Sequence, residues 1–150
     1  MHGRIIEIST QPIEGPIEAC FFDEETLCCS GIEYVDDMTP GVMAEALQSF
    51  KKQTDDVFNW NDESLSFVVK PDAAQLWFKE RYARLQKFVA EMELSDFCDP
   101  LTASSIRNLT TNRLSGFHVY HGCLYTLDDF MRRCVSSETY YVGGIVAYHI

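Results

Sequence analysis

A chain of 150 residues with 46% hydrophobic and 23% charged side chains, and only eight glycines and five prolines, has the make-up of one folded domain. That composition excludes a disordered, collagenous or low-complexity segment, and a chain this long buries roughly 70% of its unfolded surface without help from disulfides or metals. Twelve basic against 23 acidic residues leave a net charge of −11, which argues against nucleic acid or anionic lipid as a direct partner, since both are held by clustered Lys and Arg.

In chain order, Gly3 to Ile8 reads as a strand with Ile6 and Ile8 on one face and Glu7 on the other. Thr10 to Pro16 is a loop, and Ile17–Phe22 and Ile32–Val35 are short apolar runs. Thr39-Pro40 opens a helix, with Val42, Met43, Ala46, Leu47 and Phe50 at helical spacing and Lys51 and Lys52 at its end. Val57–Trp60 and Leu65–Val69 form a hairpin around Asn61-Asp62-Glu63, with Ser66 on its wet face. The longest helix is expected over about 71–93, with Trp77, Phe78, Leu85, Phe88 and Val89 against the sheet face that carries Leu65, Phe67 and Val69.

Asp99-Pro100 starts a short helix carrying Leu101, Ile106 and Leu109, and Phe117 to Tyr125 reads as one strand. Thr126 and Asp129 have the spacing of a capping box for a helix carrying Leu127, Phe130, Met131 and Cys134. Thr139 to His149 is a last strand, interrupted by Gly143-Gly144 and apolar on both faces, so it is central in the sheet or covered by a second subunit. The loops between several strands are too short for crossovers. The expected fold is therefore a single α+β domain over 1–150, a mainly antiparallel sheet packed against one long helix and two or three short ones.

The opening residues hold no apolar run of signal-peptide length, and no segment reaches the length of a membrane span, so a cytoplasmic setting is expected. Its six cysteines (Cys20, Cys28, Cys29, Cys98, Cys123, Cys134) are then free thiols, and no Cys-x-x-Cys occurs. Phosphate-binding glycine motifs, the nucleophile elbow and the zincin motif are missing as well, so no cofactor is implied.

Three constellations remain. His118, His121, Cys123 and His149 carry good zinc or iron ligands, but on a regular strand His118 and His121 point to opposite faces, and only His121 and Cys123 share one. A cysteine nucleophile needs a cationic setting, whereas Cys20, Cys28, Cys29 and Cys98 sit among acids. The pairs Asp36-Asp37, Asp55-Asp56 and Asp128-Asp129 fall at turns and helix starts, where Asp is favoured for structural reasons.

Charge distribution is more informative. Residues 1–40 hold nine acids and one base, Arg4, a net −8. The expected function is a non-enzymatic domain of bacterial or phage type, an inhibitor, immunity-type antagonist or adaptor. It would meet a basic protein surface through Glu14, Glu18, Asp23, Glu24, Glu25, Asp36 and Asp37. That expectation fails if these carboxylates scatter or are neutralised one by one by Arg107, Arg113, Arg132 and Arg133. The alternatives are a Cys/His enzyme or metal site around His118–Cys123, and an assembly subunit dimerising through the 139–149 strand.

Overall fold

The chain threads its sheet around one long strand, β7 (Thr139–His149), which β1 (His2–Ser9) accompanies along one edge. The other edge of β7 is shared by β4 (Ser66–Val69) near its start and β2 (Tyr34–Asp37) near its end. In the computed structural model, which describes residues 2–111 and 116–149, seven strands run in the order β3-β4-β7-β1-β5-β6, with β2 beside β7. β3 is Phe58–Asn61, β5 Phe117–Tyr120 and β6 Leu124–Thr126. All pairings are antiparallel except that of β1 with β5. The fold is a mixed α+β domain with a single, mainly antiparallel sheet. β7 is central, so its apolar faces are covered within one chain, and no second copy is needed to explain them.

Gly143-Gly144 does more than interrupt β7. Ile6 pairs with Ile145 and Ile8 with Val142, so β7 fits one extra residue opposite Glu7, a β-bulge. The bulge reverses the facing of β7. Tyr140, Val142 and Ile145 belong to one core, and Val146 and Tyr148 to the core on the opposite face. Simple alternation from Tyr140 to Tyr148, as read from sequence, misses this reversal.

Five helices cover the first face or extend from it. α2 (Pro40–Thr54) begins at Thr39 and Pro40 as the sequence indicates, and it buries Ala46 and Phe50. α6 (Leu127–Arg133) buries Leu127, Phe130 and Met131, and the Thr126 hydroxyl accepts the Asp129 N–H at 3.1 Å. The longest helix, α3 (Ala73–Glu91), packs against the sheet through Ala73, Trp77 and Phe78. Asp128 fastens it there by accepting from the Trp77 indole at 2.8 Å and pairing with Arg81.

Beyond that point α3 leaves the sheet. Leu85 and Phe88 are half-buried and lie outside the core, and Val89 is 54% exposed, which corrects the expected packing of this face. Its far half instead carries α5 (Thr102–Thr110), reached through the single turn of α4 (Leu94–Phe97). Two smaller corrections concern strands. Phe117–Tyr125 is a hairpin with its turn at residues 121–123, where Gly122 has φ 70°, and Ser66 is buried, its hydroxyl 2.7 Å from that of Ser64. The remaining helix, α1 (Glu24–Cys29), lies in the segment between β1 and β2. No helix of the described residues is long and apolar enough to cross a membrane.

Candidate functional site

The second face of the sheet is covered by the chain between β1 and β2, without a long helix. Ile17, Phe22, Leu27 and Ile32 recur every five residues and press onto Ile5, Val146 and Tyr148. A 3-10 turn (Ala19–Phe21) and α1 separate these anchors, and Gly31, with φ 68°, turns the chain towards β2. Since the anchors point inward, most of the described residues between them are exposed. Those residues are where the acids lie.

The layer is fastened by Glu7. Its Oε2 accepts the Ile17 N–H at 2.8 Å and the Gly144 N–H at 2.9 Å, so one carboxylate serves both the loop and the β-bulge. Glycine is required at the bulge. A Cβ on Gly144 would overlap the Ile17 backbone, and one on Gly143 would overlap the Glu7 carboxylate. Sequence reading missed Glu7 as an anchor. The available signal was a lone acid between Ile6 and Ile8, together with a double glycine in another strand.

Further ties position the outward carboxylates. Asp37 Oδ1 accepts the Ala19 N–H at 2.6 Å, placing Asp37 beside the backbone that follows Glu18. Asp23 Oδ1 accepts the Thr26 N–H at 2.8 Å at the start of α1, and the hydrogen bonds from Thr26 hold its carboxyl below the usual range. Glu24 and Glu25 form the exposed first turn of α1, and Glu14 is exposed in the loop before it. Six of the seven acids singled out from sequence therefore lie on this layer. Asp36 does not. It pairs with Ala147, points to the opposite face from Asp37, and meets His149 Nε2 at 3.3 Å.

No Lys or Arg occurs between Arg4 and Lys51, and Arg4 turns its guanidinium to the Gly3 carbonyl at 2.9 Å. Among the described residues no Lys or Arg forms an ion pair with any of the seven acids. Arg132 pairs with Asp129 at 3.5 Å, and Arg133 lies over the Tyr125 ring. Arg107 makes no ion pair there either, while Arg113 and the side chains of Cys28 and Cys29 lie outside the described residues.

The histidines and cysteines are kept apart. His118 faces the acidic layer, its ring edge-on to Tyr148 at 4.8 Å, and burial lowers its pKa. His121 lies near Tyr140, its Nδ1 3.1 Å from the Ile8 carbonyl oxygen. Cys123 is exposed in the hairpin turn, and His149 stacks on Tyr34 at 4.2 Å. The shared strand face expected for His121 and Cys123 is lost to the turn. Among the described residues no three His, Cys, Asp or Glu side chains could hold a metal.

Cys20 and Cys134 lack the cationic setting that a thiolate nucleophile needs. Cys20 lies 3.9 Å from a Glu18 carboxylate oxygen, and burial pushes the Cys134 thiol up. Of the paired acids elsewhere, Asp128 holds α3 through its carboxylate, whereas Asp55 and Asp56 offer their backbone carbonyls to Lys70. Comparison with protein-family models, curated proteins and solved structures finds no match to this chain.

Proposed function

We propose that this chain is a non-enzymatic binding domain, an inhibitor, immunity-type antagonist or adaptor, that docks a basic protein surface onto the layer formed by residues 10–37. One observation carries the reading: Glu14, Glu18, Asp23, Glu24, Glu25 and Asp37 are all exposed on one anchored layer that contains no Lys or Arg. Uncompensated carboxylates on a low-dielectric body attract cationic side chains and speed the encounter with them. The anchors beneath limit the ordering that binding would require, which favours a preformed surface.

The test is capture from a native host lysate, followed by kinetics with the purified partner. The expected partner has a basic surface and is released as salt rises, because exposed charges are screened beyond roughly 8 Å at physiological ionic strength. Reversing Glu24 and Glu25 to Lys should slow association far more than it speeds dissociation, with stability changing by less than about 0.5 kcal/mol. Unchanged association by that double variant, across a salt series, would remove this layer as the docking surface.

A further inference from the structure

A cleft of about 370 Å³ opens at the end of the sheet where the two parallel strands, β1 and β5, finish. Thr10 follows β1 into it, His121 follows β5, Tyr125 comes from β6, and α6, the segment after it and the start of β7 supply the rest. The inner wall is rigid. Tyr140 meets Phe130 edge-on at 5.4 Å and stacks on Phe67 at 5.5 Å, and its hydroxyl accepts the Val135 N–H at 3.2 Å. His121 donates from Nδ1 to the Ile8 carbonyl, which leaves Nε2 as the ring's acceptor.

Two opposite charges border this aromatic wall. Arg133 lies with its guanidinium 5.3 Å from the Tyr125 ring centre, and Glu138 comes from the turn before β7. Neither has an ion-pair partner among the described residues, and they do not pair with each other. A ligand bearing only a carboxylate would face Glu138, and one bearing only an ammonium would face Arg133. A molecule carrying both satisfies the two charges at once. The volume is near the low end of small-molecule sites, roughly 300–1,000 Å³, so it suits a compact body better than a nucleotide.

We infer that this cleft binds a zwitterionic free amino acid with an apolar or aromatic side chain. The carboxylate meets Arg133, where a guanidinium offers a two-pronged donor, and the ammonium meets Glu138. The side chain lies on the Tyr140–Phe130 wall. No bond is made or broken there: Cys134, which also lines the cleft, keeps its proton and points its Sγ at the Met131 carbonyl at 3.7 Å. The inference is independent of the acidic layer, and either can fail without the other.

The test is titration of the full chain with L-phenylalanine and L-leucine, followed by calorimetry and by amide chemical shifts. Saturable binding at or below millimolar concentration is expected, with shifts at His121, Arg133 and Tyr140. 3-Phenylpropionate and phenethylamine, each with one charge, should bind at least roughly tenfold more weakly, as should the amino acids to the Arg133→Gln and Glu138→Gln variants, since each loses a charged hydrogen bond. Both substitutions are outside the core, so folded protein is available for each. Absence of binding by either amino acid would overturn the inference. So would equal affinity for the one-charge analogues, or variants that bind like the parent.

Discussion

The sheet is covered in two different ways, and the contrast explains where function can reside. On the helix side Phe50, Phe58, Phe67, Phe117, Phe130 and Tyr140 form a continuous network of ring contacts with centres 4.2 to 6.5 Å apart. On the other side four spaced anchors and one carboxylate hold the segment between β1 and β2 against Ile5, Val146 and Tyr148. Interdigitated aromatic packing makes the first face the main source of stability, and mutations there are felt throughout the fold. The second face needs only its inward residues to stay attached. Its outward positions carry fewer packing constraints, and the acids lie among them.

The largest expected effect tests that division directly. Phe67 is fully buried amid the aromatic network, and Phe67→Ala should cost about 3–5 kcal/mol in denaturant unfolding. Phe22 is 8% exposed in the thinner layer, and Phe22→Ala should cost clearly less, roughly half as much. Equal losses would mean that the acidic layer is as much a part of the core as the helices are.

Glu7→Gln comes next. The substitution keeps the shape but removes the charge from two hydrogen bonds, worth about 1–3 kcal/mol in a half-buried setting. Its signature should be local: faster amide exchange over residues 17–33 and at Gly144, with β4 and the rest of β7 protected as before. Uniform loss of protection would show that the layer and the sheet open as one unit.

Sequence reading recovered what depends on local spacing. The α2 start at Thr39-Pro40, the hairpin of β3 and β4, and the Thr126–Asp129 cap each follow from residues a few positions apart. Features created by distant residues were not legible. The β-bulge exists because β7 must pass Glu7, 137 positions earlier in the chain, and Asp36 and Asp37 diverge because strand pairing sends neighbours to opposite faces. Phe88 and Val89 continue the apolar stripe of α3, but nothing in the stripe records where the sheet ends.

Phe88 gives the next test. The sequence pattern sets Phe88 against the sheet, where full burial would make truncation cost about 3–5 kcal/mol, and the observed half-burial reduces the expected cost to about 1–2 kcal/mol. A loss as large as that of Phe67→Ala would place Phe88 in the main core and α3 along the sheet for its whole length.

The smallest effect is also the most specific to the acidic side. His118 lies beneath that layer with its Nδ1 buried and without a hydrogen-bond partner among the described residues, and burial lowers its pKa from 6.5 against a weaker opposing pull from Asp129. The folded chain therefore binds this proton more weakly than the unfolded chain does. Stability from the neutral ring is complete above pH 6.5 and is lost as pH falls through the lowered value. His118→Gln retains a polar side chain but cannot titrate, so it should flatten the acid-side decline of the urea midpoint while leaving the midpoint above neutrality nearly unchanged. If the decline persists undiminished, His118 is not the group whose burial couples this face to pH, and the acidic layer is held independently of the imidazole beneath it.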